Sequence, residues 1–113
     1  MTTIWHNPRC SKSRQTLDLI RERGVEPKVI AYLKEPPEQE EIRKVLGMLG
    51  IGARDLMRQK EDTYRTLDLA KVEDEEELIN AMFYHPILIE RPIVIHEEKA
   101  AIGRPPENVL SIL

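Results

Sequence analysis

The chain has one cysteine, and positive charge is gathered around it. The segment "HNPRCSKSR" (residues 6–14) opens with His6, sets Cys10 among Arg9, Lys12 and Arg14, and holds no acid. The thiolate is the nucleophilic form of cysteine, and nearby cations or the unpaired N–H groups at a helix start lower the thiol pKa. A lone cysteine in an apolar run packs as a small hydrophobe. This one is flanked by arginine on one side and by serine and lysine on the other, which are the surroundings of a reactive thiol. A helix start also receives oxyanions through its N–H groups, and Ser11 and Ser13 add hydroxyls there. A thiolate beside an oxyanion pocket can attack a phosphorus, arsenic or sulfur centre. The arginine four positions after the cysteine comes sooner than a phosphatase loop would place it.

Three more arginines fit an oxyanion site. Arg58 lies in "DLMRQK", Arg91 precedes Pro92 in "IERPIV", and Arg104 precedes Pro105 in "IGRPPE". Guanidinium groups offer planar, paired donors that match a tetrahedral oxyanion. Spacing alone does not show that they converge. A proline just before an apolar strand is a candidate for a cis bond, a constrained turn that could aim Arg91. Among the other polar rings, His85 before Pro86 reads as a helix-end residue near carbonyls. His96 reads as a solvated residue at a strand end.

The elements that must position these groups follow from pattern. "TTIW" (2–5) reads as a strand and "HNPRC" as a loop, since Asn-Pro favours a turn. A helix is expected from about Ser11 to Arg23, with Ser11 as cap, Leu17 and Ile20 on its inner face and Gly24 at its end. "KVIAYL" (28–33) reads as a second, buried strand. Pro36 and Pro37 break it and open a helix with glutamates in its first turn and Ile42, Val45, Leu46 and Leu49 on one face, closed by Gly50. Residues 51–86 are helical in character, most clearly in "DEEELINAMFYH". "ILIERPIVI" (87–95) is apolar and β-branched, "EEK" can turn into a strand at "AAI" (100–102), and "RPPENVLSIL" closes with a helix burying Val109, Leu110, Ile112 and Leu113.

The resulting order, β-α-β, a helical stretch, then β-β-α, favours two parallel strands joined by a crossover and an antiparallel closing hairpin. That is the layout of a thioredoxin-like α/β domain: a mixed four-stranded sheet flanked by helices, with a helical insertion at about 51–86. A length of 113 residues suits one domain over 1–113.

Composition narrows the function classes. No apolar run reaches the length of a membrane span, and no signal peptide is evident. A net charge of −3 argues against nucleic acid as the main partner. Acid is concentrated in "EPPEQEE" and "EDEEE", which read as solvated helix starts. A single cysteine rules out an internal disulfide and fits a reducing cytoplasm. Three scattered histidines make a weak case for a metal site, and none is expected. With no long apolar edge, a monomer is expected.

Together, "HNPRCSKSR", "YLKEPP", "HPILIERPIV" and "IGRPPENVL" resemble the glutaredoxin-coupled arsenate reductase family over residues 3–113. The resemblance implies a thioredoxin-like fold with an extra helical region. It implies Cys10 as nucleophile, Arg58, Arg91 and Arg104 as holders of the oxyanion, and His6 as an aid to the thiolate. It places Ser13 near the thiol and Pro92 at the cis-proline position. It also implies arsenate as substrate, glutathione as cosubstrate with no bound cofactor, and glutaredoxin as partner. Three alternatives stand beside it: a glutathione-dependent oxidoreductase of another substrate, a redox-responsive regulatory or binding protein, and a structural module with an unreactive cysteine. Relatives of the regulatory kind sense oxidation through Cys-x-x-Cys, and here Ser13 stands at the second cysteine position.

Overall fold

The computed structural model describes residues 1–113. Four strands form one mixed sheet in the order β2-β1-β3-β4, with β1 at Thr2–Trp5, β2 at Lys28–Ile30, β3 at Ile93–His96 and β4 at Lys99–Ile102. β1 runs parallel to β2 and antiparallel to β3, and β3 and β4 form a hairpin in which His96 pairs with Lys99. The layout is the thioredoxin-like one expected from the order of elements. Contacts gather into two compact units, residues 1–35 with 91–113, and residues 36–90.

In the first unit, helix α1 (Ser11–Glu22) follows β1 and buries Ser13, Thr16, Leu17 and Ile20. Ile4, Leu17, Ile20, Val94 and Val109 form its core, joined by the partly buried Val25, Ala101, Ile112 and Leu113. Burying an aliphatic side chain of this size is worth about 1.5–3 kcal/mol. This cluster therefore fixes α1 against β1 and β3. Gly24, at φ +79, turns the chain after the helix.

Four expectations need correction here. Ser11 is the first helical residue and does not cap; the N-cap position is Cys10, with extended backbone (φ −94°, ψ 121°). β2 ends at Ile30 and is an edge strand, not a buried one. Val29 and Leu33 stay exposed, and of that apolar run only Tyr32 is fully enclosed. The closing helix is a 3₁₀ segment over Pro106–Ile112, and it buries Val109 fully while Leu110, Ile112 and Leu113 lie half-buried. His96 is not simply solvated: its Nδ1 lies 2.7 Å from Thr2 Oγ1.

The second unit holds α2 (Gln39–Leu49), α3 (Ala53–Leu56), α4 (Asp62–Thr66) and α5 (Glu75–Tyr84), with short 3₁₀ segments at Leu69–Lys71 and Pro86–Leu88. α2 begins with a reciprocal capping box between Glu38 and Glu41 and ends at Gly50, whose φ of 67° is left-handed. The Arg54 guanidinium donates to the Tyr64 hydroxyl and to the carbonyls of Leu69 and Val72, tying α3 to the chain that follows α4. Asp68, at φ 57°, interrupts the helical stretch between α4 and the 3₁₀ segment at Leu69–Lys71. Met57 and Ile89 form an isolated antiparallel bridge, flanked by Arg58 N–H to Leu88 O (2.7 Å) and Glu90 N–H to Leu56 O (2.8 Å).

Candidate active site

Cys10 stands at the residue where a helix normally carries a capping oxygen. At that position a side chain faces the free N–H groups of the second and third helical residues. Here those residues are Lys12 and Ser13, and the first turn of α1 contains no acid. The loop before it is set by Asn7, whose carbonyl accepts from Cys10 N–H (3.0 Å) and whose Oδ1 accepts from Arg9 N–H (3.0 Å). The sulfur is half-exposed and free.

Two arginines of the distant C-terminal segment meet this sulfur. Arg104 Nη2 lies 3.4 Å from Cys10 Sγ, while its Nε donates to the Arg91 carbonyl at 2.7 Å. The Arg91 guanidinium also faces the sulfur, and it interacts with the hydroxyl of the enclosed Tyr32. Burial pushes the Cys10 thiol up. The Ser13 N–H, the Arg91 guanidinium, the Lys12 N–H and the Arg104 charge push it down, and the balance lies below the ordinary thiol value. For Arg91, burial works against the charged form, but the contacts with Cys10 and Tyr32 prevail and raise its pKa.

The cations that act on the sulfur are therefore not the ones beside it in sequence. Arg9, Lys12 and Arg14 are exposed, and Arg14 Nη1 donates to the Pro8 carbonyl at 2.9 Å. Lys12 contributes through its backbone N–H. The peptide bonds Arg91–Pro92 and Arg104–Pro105 are both cis; the first was expected, the second was not.

His6 and Ser13 lie on either side of Cys10 in sequence and meet each other. Nδ1 of His6 is 2.6 Å from Ser13 Oγ, which also accepts the Asn7 N–H at 3.0 Å. Burial lowers the His6 pKa, and the charges of Arg21 and Arg14 lower it further. Both effects favour the neutral form of the ring. Its contact is with Ser13, whose N–H acts on the thiol.

Arg58 belongs to the second unit. Its Nε donates to Glu61 (3.0 Å) and its Nη1 to Glu90 (2.9 Å), so two carboxylates orient a half-buried guanidinium. Of the six residues to which the resemblance gives a role at the thiol or the oxyanion, five (Cys10, His6, Ser13, Arg91 and Arg104) come together in the first unit. Asn7, Tyr32 and Gly103, inside the quoted motifs, and Thr16, just beyond one, also shape the site and were not singled out.

A half-exposed cysteine with a depressed pKa, at a helix start and under two guanidinium groups, can attack an oxyanion centre and neutralise the charge that the oxyanion brings. The sequence profile of the ArsC family matches residues 5–112. The chain belongs to the ArsC family. The Escherichia coli (strain K12) relative named "Uncharacterized protein YfgD" is 56% identical over 112 residues, spanning 97% of this chain and 94% of that one. A relative from Neisseria meningitidis serogroup A named arsenate reductase is 46% identical, spanning 97% of this chain and 96% of its own. Among solved structures, an arsenate reductase from Vibrio cholerae superposes with a TM-score of 0.96 at 46% identity, covering 99% of this chain and 97% of that chain. The ArsC likeness thus runs through both compact units. In the chain as a whole, no helix is long and apolar enough to cross a membrane.

Proposed function

We propose that this chain is an arsenate reductase in which the Cys10 thiolate is the nucleophile and Arg91 and Arg104 hold the arsenate oxygens. The observation that carries the reading is the placement of Arg104 Nη2 at 3.4 Å from a sulfur whose pKa is depressed at the start of α1. The names of relatives at 46% identity support arsenate as the oxyanion. For Arg58 the support is the family resemblance alone, and an Arg58→Ala variant in the assay below tests it.

The chemistry balances with two thiols from outside. The Cys10 sulfur bonds to arsenic, and an As–O bond breaks, its oxygen leaving as water; arsenic is still As(V). Glutathione replaces a second oxygen, again released as water. A glutaredoxin thiol then attacks the glutathione sulfur. The As–S bond to glutathione breaks with its electron pair on arsenic, which becomes As(III), and the two outside sulfurs leave as a mixed disulfide. Water cleaves the remaining Cys10–arsenic bond, freeing arsenite and the thiol. The net change is arsenate plus two thiols to arsenite, a disulfide and water. One cysteine suffices in this chain because both reducing equivalents arrive from a cytoplasmic thiol pool. Phosphate has the shape and charge to bind, but thiols do not reduce it. The chain acts as a monomer in this scheme.

The test is arsenate-dependent NADPH oxidation with glutathione, glutaredoxin and glutathione reductase present. The wild-type chain turns over and Cys10→Ser does not. A folded wild-type chain that consumes no NADPH with arsenate, or a Cys10→Ser variant at wild-type rate, overturns the reading.

A further inference from the structure

The segments that carry the two arginines are joined to each other and seated on α1. Gly103 N–H donates to the Pro92 carbonyl at 2.9 Å, and the next residue, Arg104, donates Nε to the Arg91 carbonyl at 2.7 Å. Residues 103–104 thus pair with residues 91–92. The pair meets the helix at one point. A β-carbon on Gly103 would lie 2.5 Å from Thr16 Oγ1, 2.7 Å from Pro92 Cγ and 3.1 Å from Thr16 Cγ2. These separations are below van der Waals contact, so the backbone of Gly103 passes Thr16 with no room for a side chain. The left-handed glycines are Gly24 and Gly50, so space and not backbone conformation demands glycine at 103.

Thr16 has little freedom to give way. It is wholly buried, and its hydroxyl donates to the Lys12 carbonyl at 2.7 Å. Lys12 belongs to the helical turn whose N–H groups act on the Cys10 sulfur. To move aside, the Thr16 side chain would have to give up that hydrogen bond. If Thr16 held its place, the paired segments would lift away and take Arg104 with them.

We propose that Gly103 is a positioning residue: its bare backbone, seated against Thr16 and Pro92, sets the distance between Arg104 and the Cys10 sulfur. The proposal rests on Cys10 being the working thiol of the proposed function, but its test reads the thiol directly and needs no arsenate.

The experiment follows the rate of Cys10 alkylation by iodoacetamide against pH for wild type, Gly103→Ala and the double variant Gly103→Ala/Thr16→Ala, with circular dichroism to establish folding. Gly103→Ala moves the inflection to higher pH and slows alkylation at pH 6 by about threefold or more, because the thiolate fraction falls. Removing the Thr16 hydroxyl and methyl in the double variant restores most of the wild-type profile. A folded Gly103→Ala chain with the wild-type profile overturns the proposal, and so does a double variant that stays as shifted as the single. If Gly103→Ala alone does not fold, a folded double variant with a near-wild-type profile supports the seat, and an unfolded or shifted one overturns it. A wild-type chain that shows the depressed thiol yet reduces no arsenate sinks the function proposed above and leaves this inference standing.

Discussion

The His6 imidazole and the Ser13 hydroxyl meet at 2.6 Å, Nδ1 to Oγ, and both residues are buried. The contact joins the end of β1 to the first turn of α1, across the loop that carries Cys10. It links the His6 ring to the residue whose backbone N–H does most, among the groups that lower it, to depress the thiol pKa.

Ser13→Ala removes the hydroxyl from two buried neighbours at once, the Asn7 N–H and the His6 ring. Leaving a buried polar group unsatisfied costs about 1–3 kcal/mol. Urea denaturation of Ser13→Ala therefore shows a loss of that size with the fold retained. A loss below about 0.5 kcal/mol, the range of ordinary surface substitutions, would mean that the hydroxyl does not hold the loop.

His6 gives the chain a pH dependence of definite sign. Its folded pKa is depressed, so between that value and the unfolded value, about 6.5, the unfolded chain binds more protons. The contribution of His6 to stability is complete above the unfolded value and is lost as pH falls through the folded one. Urea midpoints of wild type should fall on acidification below about pH 6.5. In His6→Asn that part of the slope disappears. Equal slopes in the two proteins would show that the ring is not held neutral.

The sequence displayed the parts of this site more readily than their arrangement. The strand before Cys10, the helix after it and the Arg-Pro pairs could be read from turn residues and periodicity, because those signals are local. The charge that depresses the thiol could not. Arg9, Lys12 and Arg14 crowd the cysteine in sequence but point outward, while Arg91 and Arg104 arrive through a β-hairpin 81 and 94 residues away. Only strand pairing brings them in, and spacing does not encode it. β2 departs from its expected burial for a related reason. An apolar run such as "KVIAYL" fits a central or an edge strand equally well, and the sheet order placed it at the edge. Tyr32 and Thr16 were overlooked because each looks like core until its polar atom is located.

Arg104 acts on the sulfur through charge and through Nη2, so Arg104→Ala weakens both. The thiol pKa is depressed in the folded chain, so alkylation by iodoacetamide persists at pH values where free cysteine has become unreactive. In Arg104→Ala the inflection moves upward. Arsenate turnover falls by roughly 10²-fold, the scale of losing one preorganised donor to a developing oxyanion. An unmoved inflection would show that the helix N–H groups and Arg91 suffice to depress the thiol.

Tyr32→Phe isolates the phenolic hydroxyl from the ring. Tyr32 follows β2 and is fully enclosed, and its hydroxyl interacts with the Arg91 guanidinium, which also faces Cys10. Phenylalanine keeps the packing and deletes that interaction. A hydrogen bond to a charged group is worth about 1.5–3 kcal/mol, so a guanidinium released from it binds the oxyanion in a less fixed pose. The KM for arsenate rises by about tenfold, since 1.4 kcal/mol corresponds to that factor. kcat changes less, because Cys10 and Arg104 are untouched. The decisive comparison is between stability and kinetics. If thermal unfolding shifts while KM and the thiol profile stay at wild-type values, Tyr32 is a core residue and Arg91 is oriented by other means. If KM rises with the unfolding temperature nearly unchanged, a tyrosine from the edge of the sheet sets the direction of an arginine at the thiol.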